Sequence, residues 1–249
     1  MEGTIAERLA ATCERIAAAA RRAGRNEASV RLVAVSKKHP PEAIAEAYAA
    51  GQRDFGENYP QELVHKAEAL RHLPDLRWHM IGHVQRNKAR LLVGVVESVE
   101  TVDNLKLGRE LDKRVLALEP EQRKRWVDGR LPVLIQVNIG DEPQKSGCLP
   151  NDVEPLIDEM EGFEGLAVEG LMCIPPHTDD PSDALPYFER LAKLRDRCGG
   201  TSRLPDLSMG MSADFEYAIA AGATLVRVGT EIFGPRPDGN GKAMGHDHG

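Results

Sequence analysis

The 249-residue chain carries 32 lysines and arginines against 39 aspartates and glutamates, a net charge of −7. Hydrophobic residues at 41% and charged residues at 29% are typical of a folded globular protein rather than a disordered one. The acidic balance and an aromatic content of only 4% argue against nucleic acid as a partner, because such binding needs a basic surface and stacking rings.

Neither a membrane segment nor a secretory leader is expected. No apolar run approaches the roughly 20 residues that a membrane helix requires. Glu2, Glu7 and Arg8 interrupt the apolar stretch that a signal peptide would need. The four cysteines are widely spaced and form no CxxC pair, which predicts neither a zinc site nor a disulfide framework. We therefore expect a reduced, cytoplasmic protein.

A single helix precedes a repeated strand–helix pattern. Thr4 and Glu7 fit a capping box, and apolar residues recur at helical spacing until Gly24 ends the segment. Short apolar runs then predict strands at 31–36, 54–57, 78–82, 95–101, 132–138, 168–174, 207–211 and 225–229. Helices are predicted between them at 42–50, after Pro60, at 84–93, from about 103, after Pro150, at 182–197 and at 212–222.

Strands that are apolar on both faces and alternate with helices indicate a parallel sheet. Eight such units in one chain of this length favour a closed (β/α)8 TIM barrel with an extra N-terminal helix. An open doubly wound sheet is the alternative. No linker divides the chain, so we predict one domain over residues 1–234. The Gly- and Pro-rich tail at 235–249, with His246 and His248, is expected to be disordered.

The first predicted strand ends in Ser36-Lys37-Lys38. In a barrel, residues at the carboxyl ends of strands face the active-site mouth. A lysine that leaves an apolar strand there is partly desolvated, which lowers its pKa and makes its amine nucleophilic toward aldehydes. Strand alternation puts Lys37 and Lys38 on opposite sides, so at most one faces the barrel axis. The alternative is an ordinary solvated lysine at a strand end.

The last two units carry features of a phosphate site. Gly210 and Ser212 lead into a helix, for which Ser212 is the predicted N-cap, and Gly229-Thr230 opens a short helical turn. Barrels commonly hold a phosphate between the loops after strands seven and eight. The alternative is that these residues are only turn glycines and caps.

Arg227 lies two residues before Gly229 and so on the same face of its strand. A buried arginine needs a partner, and here it could donate to a ring nitrogen of a phosphate-anchored ligand. A lysine for a Schiff base, a phosphate cup and a donor between them together describe a pyridoxal phosphate site.

At this point the motifs resemble a known family. They are VAVSK at 33–37, AGQRDFGENY at 50–59, WHMIGHVQRNK at 78–88, VLIQVNIGDEPQKSG at 133–147, GLMCIPP at 170–176 and LSMGMSADFEYAIAAGATLVRVGTEIFG at 207–234. Across residues 32–234 the sequence resembles the pyridoxal phosphate-binding homeostasis proteins, formerly described as proline-synthetase co-transcribed proteins. The resemblance implies the alanine racemase N-terminal-domain barrel, the fold-type III class of pyridoxal phosphate proteins.

The resemblance also implies roles for individual residues. Lys37 would carry pyridoxal 5'-phosphate as a Schiff base, while Lys38 stands where the family usually has threonine or a similar residue. Asn58 would lie near the cofactor ring, and Arg227 would face the pyridine nitrogen. The residues implied around the phosphate are Ser208, Gly210, Ser212, Gly229 and Thr230.

Two functions compete: a carrier or buffer that acts in vitamin B6 homeostasis, and a pyridoxal phosphate-dependent amino-acid racemase. Carbanion chemistry is best served by a protonated pyridine nitrogen, which usually requires a carboxylate partner. Arg227 cannot accept a proton and would keep that nitrogen unprotonated. We also expect no room for the additional β domain of the racemases. The carrier is favoured, as a monomer without catalytic residues, with pyridoxal phosphate-requiring apo-enzymes as further partners.

His79 and His83 lie four residues apart, which is one spacing for a metal pair. No third ligand is evident, so a hydrogen-bonded structural histidine is favoured for each, and no metal is expected. Gln85, Asn87 and Lys88 belong to the same motif without an assigned chemistry. Lys145 is expected in a loop over the mouth or, alternatively, in solvent.

Overall fold

The computed structural model describes residues 3–235. Eight parallel strands form a closed barrel in chain order, which confirms the predicted fold class. The strands are β1 (Arg31–Val35), β2 (Asp54–Glu57), β3 (Arg77–Met80), β4 (Ser98–Val102), β5 (Leu131–Val137), β6 (Leu166–Cys173), β7 (Asp206–Ser208) and β8 (Leu225–Val228). The barrel closes where β1 pairs with β8, with Val33 opposite Arg227.

Ten α-helices lie in the described part of the chain. They are α1 (Ile5–Arg22), α2 (Pro41–Ala49), α3 (Pro60–Ala69), α4 (Ala89–Leu92), α5 (Leu105–Leu116), α6 (Pro120–Arg123), α7 (Val153–Met160), α8 (Leu185–Arg197), α9 (Phe215–Ala220) and α10 (Thr230–Phe233). None of these helices has the length and apolar composition of a membrane-spanning segment. The tail predicted to be disordered lies outside the described residues, apart from Pro235.

The extra helix α1 begins as predicted. The Glu7 amide donates to the Thr4 hydroxyl at 3.2 Å, and the Thr4 amide donates to Glu7 Oε2 at 2.8 Å. The helix packs against α9 and α10, burying Ile5, Leu9 and Ile16. It therefore covers the seam where the first and last strands meet.

Two predicted helices are shorter than expected. In place of a helix over 84–93, a 3-10 turn at Arg86–Lys88 precedes the short α4, and Gly94 at φ 90° follows it. The helix predicted to begin at Ser212 begins at Phe215, so Ser212 is not its N-cap. The carboxylate of Asp214 accepts the Met211 amide at 2.6 Å, which closes a turn before the helix starts.

Alternation along β1 separates the inside of the barrel from its outside. Leu32 and Ala34 belong to the hydrophobic core between strands and helices. Val33 and Val35 face the opposite way, where a Cβ on Gly56 would lie 2.9 Å from Val33 and one on Gly229 would lie 3.2 Å from Val35. Because strand residues alternate, the parity of a residue decides whether it faces the barrel axis.

Candidate functional site

The carboxyl ends of the strands form a mouth that brings together Lys37 after β1, Asn58 after β2 and Gly229 after β8. Gln136 and Asn138 lie at the end of β5 on the same side of the barrel. The site predicted from sequence thus gathers at one end of the fold, because parallel strands all end there.

The structure distinguishes the two neighbouring lysines. The Ser36 side chain points outward, where its hydroxyl donates to Glu57 Oε1 at 2.7 Å. Lys37 is half-buried in the turn after β1, and continuing the strand alternation through Ser36 gives it the inward parity of Val33 and Val35. Lys38 is exposed, with its backbone in the left-handed region at φ 64°. The inward lysine is the one predicted to carry the cofactor.

A buried set of polar groups, here called the outer cluster, lies between the sheet and α3 behind Lys37: Ser36, Glu57, Glu62 and Lys66. The Lys66 ammonium donates to the Ser36 carbonyl at 2.8 Å, to Glu57 at 2.7 Å and to Glu62 at 2.6 Å. Glu62 Oε1 also accepts the Lys38 amide at 2.6 Å. The cluster therefore holds the backbone on both sides of Lys37.

A cavity of about 320 Å³ opens at the mouth beside β2, β3, β5 and β6. It is lined by Asn58, Ile81, Gly82, His83, Gln136, Asn138, Gln144, Lys145, Ser146 and Ile174. Among the described residues, neither Asn58 Oδ1 nor Gln136 Oε1 has a hydrogen-bond partner, although both atoms are buried. Buried polar atoms are normally paired, so two orphaned acceptors indicate a ligand that donates to them.

The loop over this cavity is built by Asn138. Its side chain accepts the Glu142 amide at 3.1 Å and donates to the Glu142 carbonyl at 2.8 Å. Lys145 forms an ion pair with Glu142 and donates to the Pro175 carbonyl at 3.0 Å. The predicted position of Lys145 in a loop over the mouth is confirmed.

On the opposite side of the mouth, two glycines bring backbone close to the site. Gly210 has φ 90°, and a Cβ there would lie 2.6 Å from the Ala218 Cβ. A Cβ on Gly229 would lie 3.0 Å from the Val35 carbonyl oxygen. Thr230 begins α10, and Ser212 lies half-buried in the turn before α9. Both glycines therefore allow close backbone packing, against α9 at Gly210 and against β1 at Gly229, in the loops that lead to Ser212 and Thr230.

Ser208 is placed differently from these neighbours. It is fully buried inside the barrel, where its hydroxyl donates to Glu100 Oε2 at 2.5 Å and accepts from Arg227 Nη1 at 2.6 Å. The other Arg227 nitrogen, Nη2, donates to the Cys173 carbonyl at 2.8 Å, at the carboxyl end of β6. The Ser208 hydroxyl thus has both of its hydrogen-bond partners inside the barrel, and the Arg227 guanidinium lies just beneath the mouth.

The hydrogen bonds continue from Glu100 toward the other end of the barrel. Glu100 Oε1 lies 3.2 Å from His79 Nδ1, and His79 Nε2 lies 2.9 Å from Asp54. Asp54 in turn accepts two hydrogen bonds from Arg77. This set of residues is here called the inner chain: Arg77, Asp54, His79, Glu100, Ser208 and Arg227.

His79 is a hydrogen-bonded structural histidine, as favoured from sequence. Burial alone would lower its pKa, but the hydrogen bonds to Asp54 and Glu100 outweigh burial and raise the pKa to about 9. Burial opposes ionisation of both carboxyls as well, yet Arg77 and His79 lower the pKa of Asp54, and His79 lowers that of Glu100. The charged forms of all three groups therefore support one another.

The other motif residues lie at the mouth. His83 is exposed and lines the mouth cavity. It also lines a neighbouring cavity of about 320 Å³, together with Gln85 and Lys88. Asn87 is exposed in the 3-10 turn. Within residues 3–235, no three potential ligands are grouped for a metal ion.

Sequence reasoning missed Glu57, Lys66, Glu100 and Gln136. Three of these leave a signal, since each is a charged or amide residue within a predicted strand of a sheet that is covered on both faces, where polar side chains need a specific partner. Lys66 leaves none, because a lysine on an amphipathic helix is ordinarily solvated.

Comparison with known proteins shows the family to which this chain belongs. The alanine racemase N-terminal domain family matches residues 8–237, and the chain belongs to this family. Within the family it belongs with the pyridoxal phosphate homeostasis proteins. It is 43% identical over 232 residues to the pyridoxal phosphate homeostasis protein of Aquifex aeolicus (strain VF5), covering 92% of this chain and 97% of the relative.

A second relative and one solved structure are also similar across nearly the whole chain, and a second solved structure shares the fold. The pyridoxal phosphate homeostasis protein of Pseudomonas aeruginosa is 44% identical over 237 residues, covering 95% of this chain and 97% of that protein. PipY of Synechococcus elongatus PCC7942, solved with PLP bound, has a TM-score of 0.77 at 37% identity, covering 93% of this chain and all of PipY. Alanine racemase from Corynebacterium glutamicum shares the fold alone, with a TM-score of 0.60 at 16% identity over 94% of this chain and 64% of the racemase.

Proposed function

We propose that this protein binds pyridoxal 5'-phosphate through Lys37 and acts in vitamin B6 homeostasis as a carrier or buffer. The observation that carries the proposal is the place of Lys37, which is half-buried directly after the outward-facing Ser36, at the same mouth as the buried Arg227. The homeostasis proteins to which the chain is similar, and the PLP-bound structure of PipY, support the same ligand.

The residues present fit this ligand. Lys37 would form a carbon–nitrogen double bond with the aldehyde carbon, and one water would leave. The phosphate would lie against backbone amides of the loops that carry Gly210 and Gly229, with Ser212 and Thr230 beside them. When bound, the cofactor supplies a reactive aldehyde that a lysine holds reversibly.

The ring would lie between the phosphate loops and the mouth cavity. Arg227 is placed to donate to the pyridine nitrogen from below, and the orphaned Asn58 Oδ1 is an acceptor available to the ring substituents. Ser208 is retained as a site residue through its contact with Arg227, since its hydroxyl already has two buried partners.

We propose no efficient catalysis. A carbanion on the cofactor is best stabilised by a protonated pyridine nitrogen, and an arginine donor keeps that nitrogen unprotonated. The Cys173 thiol is no substitute base or nucleophile, because it lies in the hydrophobic core and burial raises its pKa to about 12. The similar proteins are named for homeostasis rather than for a reaction, in agreement with this proposal.

We further propose that the protein contacts pyridoxal phosphate-requiring apo-enzymes and lies in the cytoplasm. Tyr59, Ile174 and Met211 are exposed apolar side chains that follow β2, β6 and β7 at the mouth, a surface suited to transient contact with apo-enzymes. We also propose that the protein is a monomer. All four cysteines are free, which supports a reducing cytoplasmic location.

Borohydride reduction of the pyridoxal phosphate-loaded protein, followed by peptide mapping, tests the attachment. We expect the pyridoxyl group on Lys37, its complete loss in Lys37→Ala, and unchanged labelling in the matched variant Lys38→Ala. Labelling of Lys38, or of another lysine in the wild type, would show that the assignment is wrong.

Chiral chromatography distinguishes the carrier from the racemase. Loaded protein is incubated with single enantiomers of alanine, serine or proline, and we expect no substantial conversion. Turnover near the enzyme median of roughly 10 s⁻¹ would replace the carrier by the enzyme.

A further inference from the structure

We propose that Ser208, Glu100 and His79 are positioning residues for Arg227: they hold its guanidinium beneath the cofactor ring and keep it from pairing directly with a carboxylate. This inference rests on the proposed function, because the target of Arg227 is the pyridine nitrogen of bound pyridoxal phosphate. It differs from the role that the family resemblance implies for Ser208, which is contact with the phosphate.

The partners of Arg227 are unusual for a buried arginine. Its guanidinium is bonded to a neutral hydroxyl, Ser208 Oγ at 2.6 Å, and to the Cys173 carbonyl at 2.8 Å. No carboxylate of residues 3–235 lies within ion-pair distance of it. A buried arginine is ordinarily paired with an acid, and here the hydrogen bonds of Arg227 reach an acid, Glu100, only through the serine.

Ser208 has the geometry of a spacer. Its hydroxyl has one hydrogen to donate, which goes to Glu100 at 2.5 Å, and a lone pair that accepts from Arg227. Because both bonds are made inside the barrel, the side chain is directed away from the loops that carry Gly210 and Gly229. The serine thus fixes the orientation of the arginine without neutralising its charge.

Glu100 is held in place from the other side. His79, which is almost fully buried, lies between Glu100 at 3.2 Å and Asp54 at 2.9 Å. Ser98 Oγ lies 2.9 Å from the same His79 nitrogen as Glu100. Pairing with the His79 imidazolium holds the Glu100 carboxylate in place. Glu100 therefore stays separated from the Arg227 guanidinium by the Ser208 hydroxyl.

The arrangement explains why so many charges lie in the barrel interior. Three cationic groups, Arg77, His79 and Arg227, alternate with two anionic ones, Asp54 and Glu100. A barrel interior filled by apolar side chains would be simpler to form, because buried ion pairs seldom stabilise more than well-packed apolar groups. The uncompensated positive charge lies at the end that faces the cofactor, where a ring nitrogen can accept from it.

The test compares two ligands and a set of variants. Affinities for pyridoxal phosphate and for 5-deoxypyridoxal, which has the same ring and aldehyde but no phosphate, are measured by equilibrium dialysis and by the absorbance of the Schiff base. The variants are Ser208→Ala, Ser208→Thr, Arg227→Met and the double variant Ser208→Ala/Arg227→Met. Ser202→Ala, at an exposed serine, is the matched control.

We expect Ser208→Ala to weaken both ligands by the same factor, about tenfold, because the lost contact acts on the ring and not on the phosphate. Ser208→Thr, which keeps the hydroxyl, should bind both ligands as the wild type does. In the Arg227→Met background the effect of Ser208→Ala should disappear, since the arginine it positions is gone.

A loss confined to pyridoxal phosphate would place Ser208 on the phosphate and overturn the inference. Additive losses in the double variant, or no loss in Ser208→Ala, would also overturn it. If the wild type binds neither ligand, it is the proposed function that fails, which the wild-type measurement shows before any variant is compared. If Ser208→Ala does not fold, Glu100→Gln supplies the comparison: it should also weaken both ligands by a common factor, and a loss for pyridoxal phosphate alone would contradict the inference.

Discussion

The outer cluster and the inner chain are both buried, charged and close to the same site, but they act on different parts of the chain. In the outer cluster the Lys66 ammonium donates all three of its hydrogen bonds to members of the same cluster. The inner chain is extended and runs through the barrel from Arg77 at the start of β3 to Arg227 near the mouth.

The difference shows two ways to position a reactive group. The outer cluster holds backbone: the Ser36 carbonyl and the Lys38 amide, on either side of Lys37, both belong to it. The inner chain holds the side chain of Arg227, with its backbone fixed by the sheet. Changes in the outer cluster should therefore alter folding and Lys37 together, whereas changes in the inner chain should alter the ring contact.

The largest effect is expected from Lys66→Met. Its removal leaves the fully buried Glu57 carboxyl without its cation, and breaking one side of a buried pair costs about 3–5 kcal/mol of the free energy of unfolding. Chemical denaturation should show this loss, with almost none in Lys106→Met at an exposed position of α5. The variant should also react more slowly with pyridoxal phosphate at Lys37, because the backbone beside it loses its anchor.

One result for Lys66→Met would contradict a role of the outer cluster in positioning Lys37. If stability falls but the rate of Schiff-base formation at Lys37 stays at the wild-type value, the outer cluster supports the fold alone. A double variant, Lys66→Met/Glu57→Leu, separates charge from packing: it should recover part of the stability, since no buried charge is then left unpaired.

The pH dependence of stability tests whether His79 is charged in the inner chain. The pKa of His79 is about 9 in the folded protein and 6.5 for a free histidine. Its stabilising contribution is therefore complete below pH 6.5 and is lost as the pH rises through about 9, amounting to about 3 kcal/mol. Denaturation at pH 6.5 and pH 9.5 should show this loss in the wild type and much less of it in His79→Gln. Equal losses in both proteins would mean that the inner chain holds a neutral His79.

The smallest effect is expected at the far end of the inner chain. Arg77 is partly exposed, and exposed ion pairs contribute about 1 kcal/mol or less. Arg77→Gln should therefore lower the free energy of unfolding by no more than this amount and leave pyridoxal phosphate affinity unchanged. An affinity loss as large as that of Ser208→Ala would show that the whole inner chain, and not only His79, Glu100 and Ser208, positions Arg227.

Much of this protein follows from local sequence patterns. Alternating apolar strands and helices determine a parallel barrel, because the period of apolar residues sets each element and the repeated order sets the sheet. The lysine at the end of β1, the glycines after β7 and β8 and the arginine on β8 all lie where that order predicts. Each is recognised by its own neighbours in the chain.

The partners of these residues were decided only by the tertiary structure. The family resemblance implies that Ser208 contacts the phosphate, whereas barrel closure places its side chain against Glu100, 108 residues earlier in the chain. Lys66 looked like a surface lysine until α3 packed over Ser36. Strand parity, register and helix packing determine which buried polar groups meet, because a buried hydrogen-bonding group pairs with whatever the fold brings within reach rather than with its sequence neighbours.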